Sequence, residues 1–289
     1  MVIVLTEPQN VASANKVPGS MAQVGVTMKY TFLDYFRSRR FAILLAISLL
    51  ISALLTVVVG YYRPVSFLTT DLGFYSSWWG MTATFVVILS GIFFGGDAIA
   101  GEFQNKTGYF TVPNPIRRSS IYVGKWLAAF AASSIILLIF TAVTVLNGIY
   151  YFGANVPYQF GESLLFAWLY LVAVLGFTFL FSSLFKTSSY SILVTAILFL
   201  FAFTIIQDVV AALAQIEPWF IITYGAGIVG NVLQVPYPDH VVTSIGPGAR
   251  HLTFTTYNVT IPEGIAILAI YFIVTAALGL VLFERKEFN

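Results

Sequence analysis

GEFQNKTGYFTVPNPIRRSSIYVGK, residues Gly101–Lys125, is a polar, turn-rich stretch between two long apolar runs, Trp78–Ile99 and Ile121–Gly148. Crossing the hydrocarbon core takes about 20 apolar residues at about 1.5 Å rise each. Both flanking runs meet that length, so the stretch reads as a loop joining two membrane spans. Its lysines and arginines place it on the cytoplasmic side, since basic loops stay inside.

The rest of the chain has the same character. Its 289 residues are 58% hydrophobic and 9% charged, against about 25% charged in soluble domains. It reads as an all-α membrane protein. A net charge of +2 supplies no basic patch for nucleic acid. With no cysteine, disulfides, thiolate chemistry and cysteine-bound zinc are excluded. The opening MVIVLTEPQN lacks a basic region followed by a long apolar core, so it does not read as a secretory signal. Residues 1–25 read as a flexible cytoplasmic lead-in, and residues 26–289 as one transmembrane domain.

Val26–Arg40 places Thr27, Thr31, Asp34 and Ser38 on one helical face and aromatic and aliphatic residues on most of the rest. This is an amphipathic interfacial helix, with Lys29, Arg37, Arg39 and Arg40 able to reach lipid phosphates. Six spans follow, at about 41–60, 78–99, 121–148, 163–185, 189–210 and 261–283. Trp78-Trp79 opens the second as an interface marker. With both termini cytoplasmic, all 14 Lys and Arg except Arg63 and Arg250 lie inside. Pro218–Val235 is apolar, but a seventh span there would reverse the charge pattern. It reads as a re-entrant or interfacial helix in an outer segment, 211–260, packed on the mouth of the bundle.

Candidate functional residues concentrate near the central loop, 100–120. Glu102 and Lys106 stand at helical i,i+4 spacing and can pair. Tyr109 and Phe110 are aromatics of the kind that anchor interfaces. Pro113 and Pro115 bracket Asn114 where a short helix would stop. Asp97, at the inner end of the second span, reads either as a relay contact to basic residues or as a solvated helix end. Gly91 and Gly95 form G-x-x-x-G, which lets helices approach closely, within the chain or between two copies.

Asp97 through Lys125 resembles the first cytoplasmic loop of ABC-2 type permeases, the membrane subunits of ATP-binding cassette transporters. The matching features are the acid ending the second span, Gly101-Glu102-Phe103, the polar Asn105-Lys106-Thr107-Gly108, the Pro113-Asn114-Pro115 turn, Arg117-Arg118 and Gly124-Lys125. The resemblance implies a coupling helix docked on a separate ATPase subunit through Glu102, Asn105, Lys106, Thr107, Tyr109, Phe110, Pro113, Asn114, Pro115, Arg117 and Arg118. It also implies a homodimer or heterodimer of permeases in the cell membrane, surrounded by lipid.

The chain carries no nucleotide site of its own. A P-loop needs G-x-x-x-x-G-K-[ST], and Gly124-Lys125 is followed by Trp126. ATP and Mg are therefore expected on the partner and no cofactor on this chain, which is not itself an enzyme. The expected activity is export of a lipophilic or amphipathic substrate. Phe177, Phe179, Phe181, Phe199, Phe201 and Phe203 crowd the fourth and fifth spans, a setting suited to such cargo or to lipid.

Three other readings compete. A secondary transporter or channel would need mid-span ionisable residues or inverted repeats. A membrane enzyme would need clustered His, Asp or Glu, yet His240 and His251 share one outer loop beside Asp239, short of a three-ligand catalytic metal site. A non-transporting anchor or assembly protein could use the same scaffold. Gln207 and Asp208, near the outer end of the fifth span, read as a cation site or as a solvated terminus. Asn258-Val259-Thr260 is a glycosylation sequon on the outer side.

Overall fold

The structure, a computed structural model, describes residues 19–106, 117–245 and 252–286. Its long elements are α1 (Ser20–Arg37), α2 (Arg39–Tyr62), α4 (Asp71–Gln104), α5 (Arg118–Phe152), α6 (Tyr158–Leu184), α7 (Ser188–Ala214) and α10 (Ile261–Arg285). Short helices α3 (Val65–Leu68), α8 (Ile222–Gly225) and α9 (Ile228–Asn231) lie in the connections. All the long helices except α1 are long and apolar enough to cross a membrane, so the protein is a multi-pass membrane protein, with six such helices among the described residues.

The boundaries depart from the expected ones at polar ends. Helix α1 starts at Ser20 and not at 26, so the lead-in is shorter than 1–25. Ser38 separates α1 from α2 with an extended backbone, donating from Oγ to Tyr35 O at 2.7 Å and accepting from Phe41 N at 3.3 Å. One hydroxyl thus serves the end of one helix and the start of the next. Helix α4 begins at Asp71, seven residues before the expected start. Thr70 caps it, its Oγ1 accepting from Gly73 N at 2.9 Å, and Asp71 sits in the first turn, where negative charge favours the helix dipole.

That earlier start changes the meaning of Trp78 and Trp79. They do not face outward: both are fully buried, Trp78 against Phe74 and Trp79 against Phe140 and Phe160. Helix α4 is the axis of the bundle. In its most apolar stretch 72% of residues are buried, against 11% for α7. Buried hydroxyls along the apolar helices donate to carbonyls one turn back, as Ser52 does to Ser48, Ser90 to Val86 and Thr144 to Phe140. Such bonds satisfy donors that neither lipid nor core can.

Gly91 and Gly95 serve packing inside the chain. A side chain on Gly91 would run into Val174, and one on Gly95 into Thr178, both on α6. The contact falls in a π-helical turn, Gly91–Gly95.

Pro218–Val235 does not cross the bundle. Its two short helices pack on α4, α6 and α10 near the ends where those helices begin. Gly80 and Gly230 meet backbone to backbone, and Ser163 accepts from Trp79 Nε1 at 2.9 Å while donating to Val229 O. The polar stretch after it departs from an all-α fold. Val241–Ile245 and Leu252–Thr256 pair as an antiparallel hairpin, β1 and β2, in register from Val241 opposite Thr256 to Ile245 opposite Leu252.

Candidate functional site: the basic rim of the bundle

Six helix ends meet at one end of the molecule: the start of α2, the end of α4, the start of α5, the end of α6, the start of α7 and the end of α10. Alternating antiparallel helices bring these ends together, and most of the basic residues come with them.

The end of α4 is broken by a turn after Gly95, which frees backbone N–H groups. Ser182 of α6, fully buried, accepts from both Ile99 N and Ala100 N at 2.9 Å. A last turn, Ala100–Gln104, carries Glu102. Glu102 does not pair with Lys106 along the helix. The helix stops at Gln104, and Lys106 takes a left-handed conformation, φ 56°, exposed to solvent. Glu102 instead forms an ion pair with Lys125 of α5, whose Nζ also donates to Ala98 O at 2.9 Å. Both side chains are largely buried, so the pair is weakly screened and each charge depends on the other.

Asp97, in the turn just before Ala100–Gln104, forms an ion pair with Arg40 at the start of α2. Tyr35 of α1 donates to Phe94 O at 3.0 Å. Burial first, and the Asp97 charge second, push its phenol well above the usual range, so it remains a donor. Helix α1 lies tight on α5: a Cβ on Gly124 would sit 2.7 Å from Thr27 Cβ. Gln23 of α1 accepts from Arg117 N at 3.1 Å.

Two further ties close the rim. Arg118 donates through Nη1 to Glu284 O and Lys286 O, both at 2.8 Å. Lys286 donates through Nζ to the last carbonyls of α6, Ser183 O at 2.8 Å and Phe185 O at 2.7 Å, and stands 4.2 Å over the Phe103 ring. Burial first, then the Lys186 charge, lowers its pKa to about 8. Gln104 accepts from Ser188 N at 2.8 Å, joining the ends of α4 and α7.

Of the residues expected to form an interface, Asn105, Lys106 and Arg117 are exposed at the edges of the central loop. Arg118 is turned toward the end of α10. Thr107, Tyr109, Phe110, Pro113, Asn114 and Pro115 lie outside the described residues. Sequence reasoning missed Arg40, Gln104, Lys125, Ser182 and Lys286 as working parts. The available signal was that each acid of the rim needs a cation within reach, and Lys125 lies seven residues inside α5.

The arrangement is mechanical: its ionised and polar groups are spent on joining helix ends. Among the described residues no group of three His, Asp or Glu could hold a metal. His240 accepts through Nδ1 from Asn258 N at 3.1 Å, and His251 lies outside the described residues. Gln207 accepts from Thr223 Oγ1 at 3.0 Å and Asp208 is exposed beside it. The phenylalanine crowd is mostly internal. Phe177, Phe199 and Phe203 meet at 5.2 to 5.6 Å between ring centres across α6 and α7, while Phe201 points outward.

A family model described as ABC-2 family transporter protein matches residues 27–288, almost the whole chain. The chain belongs to the ABC-2 transporter family. No curated protein matches it. As an ABC-2 permease it is the membrane part of an ATP-binding cassette transporter, in a family that generally works with an ATPase subunit.

Proposed function

We propose that this protein is the permease subunit of an ABC exporter, moving a lipophilic or amphipathic substrate across the cell membrane with ATP hydrolysed by a separate subunit. The observation that carries the reading is the double anchoring of the α4 end, through Asp97 to Arg40 and through Glu102 to Lys125. The loop between α4 and α5 cannot be pushed without moving α2, α4 and α5 together. The basic rim faces the cytoplasm, in line with the bias of Lys and Arg toward that side.

The ATPase docks on loop 100–120, with Glu102, Asn105, Lys106 and Arg117 on its shoulders and Thr107, Tyr109, Phe110, Pro113, Asn114 and Pro115 across its middle. ATP and Mg bind there and not on the permease. Two permeases, identical or paralogous, sit side by side. The poorly covered α7, with Phe201, Ile205 and Leu213 exposed, supplies apolar surface for that neighbour or for lipid.

The test is a mild-detergent pull-down of the tagged chain, followed by mass spectrometry and an ATPase assay. A stoichiometric ATP-binding cassette protein is expected, lost when residues 101–118 are scrambled. A well-folded chain recovered with no ATPase would favour a secondary transporter or an anchor.

A further inference from the structure

Far from the rim, a cleft of about 760 Å³ opens between α4, α6, α7 and the α8–α9 segment. Its size suits a single small amphiphile. It is contained within one chain, and its mouth lies beside the exposed side chains of Phe85, Phe201 and Thr204.

Two observations define what fits it. First, none of its lining residues is ionisable in the physiological range: apolar surface from Phe85, Ile88, Phe199 and Phe201 alternates with the hydroxyls of Thr84 and Thr204. A charged group placed there would lose its hydration without a counter-charge, at a cost of several kcal/mol. Second, Tyr170 lies in the floor, fully buried, and its hydroxyl has no hydrogen-bond partner among the described residues. Buried hydroxyls are ordinarily bonded, and a small shift of the floor would let this one donate to an acceptor oxygen seated in the cleft.

We infer that this cleft binds an uncharged amphiphile, with its apolar chain along α7 and a carbonyl, ether or hydroxyl oxygen accepting from Tyr170. Such a molecule has two sources, a resident neutral lipid or the transported cargo. Only the second source rests on the permease reading; the site does not.

The probe is 1-oleoylglycerol bearing a diazirine on its chain, applied to the full chain in lipid nanodiscs. Photolabel is expected on segments 76–88, 199–204 and 223–234. Excess 1-oleoylglycerol should compete, whereas oleate and oleylamine, with similar chains and charged heads, should not. Tyr170→Phe should weaken binding about fivefold, the worth of one net hydrogen bond. Its Tm should stay level or rise, because it deletes an unpaired buried hydroxyl. Thr204→Trp, at an exposed position, should block labelling without unfolding the chain.

Label confined to other segments, equal competition by oleate or oleylamine, or wild-type labelling of both variants would overturn the assignment. Where the site is labelled, ATP added to the complex with its ATPase separates the sources: bound probe is released if it mimics cargo and retained if it mimics a resident lipid. Absence of a co-purifying ATPase would sink the permease reading and leave the labelling result standing.

Discussion

Lys125 reaches from the second turn of α5 to Glu102 in the last turn of α4, and the same ammonium holds the Ala98 carbonyl at 2.9 Å. A cation placed there fixes the angle between two helices whose connecting loop is the proposed contact with the ATPase.

Lys125→Met should therefore strand Glu102 in a largely buried site. The expected loss is about 2 kcal/mol, below that of a fully buried pair, read as a lower Tm in detergent. Glu102→Gln added to Lys125→Met should recover most of the stability and none of the ATPase-driven transport. Recovery of both would show that the pair serves stability alone.

Gly95 packs against Thr178, and Gly95→Ala should force α4 and α6 apart. Overpacking of this kind costs about 2 kcal/mol. Thr178→Ala should relieve part of the loss by removing Oγ1, the nearest obstacle. Because the contact is internal, chemical crosslinking between two copies should be unchanged in Gly95→Ala. A selective loss of the crosslinked dimer would instead place these glycines between chains.

Ser163 joins the buried indole of Trp79 to the Val229 carbonyl. Ser163→Ala leaves a donor and an acceptor unpaired, at about 2 kcal/mol. Hydrogen exchange at Val229–Leu233 should quicken while the middle of α5 keeps its protection. Uniform quickening would mean that the α8–α9 segment is not a separable unit.

Lys286 is a cation lowered to about 8 from 10.5. Between those values the unfolded chain binds the proton and the native one does not. Proton linkage then makes stability rise with pH across that window. Lys286→Met should flatten this part of the profile, as seen in Tm measured from about pH 8 to 10.5. An identical slope in the variant would assign the titration to another group.

The six membrane helices were legible because each carries a long run in which hydrophobicity alone decides. Polar ends were harder. Thr70-Asp71 is a helix start in plain sight, overlooked because Trp78-Trp79 drew the boundary to itself. A tryptophan pair marks an interface only where nothing covers it, and here α6 and the α8–α9 segment do. The hairpin was signalled by the Val, Thr and Ile of VVTSI and the Thr and Phe of LTFTT, types that favour strands, but the polarity of the surrounding loop hid it. At the rim, local spacing paired Glu102 with Lys106. The real partner is 23 residues away, and only the fold brings it near.

The ties at the basic end form a closed circuit. Lys125 of α5 holds the end of α4; Arg118 of α5 holds the end of α10; Lys286, just past α10, holds the end of α6; and Ser182 of α6 returns to α4. Staves bound by a hoop cannot splay singly. A force applied at one point of this ring would be shared around its circumference rather than taken up by a single helix.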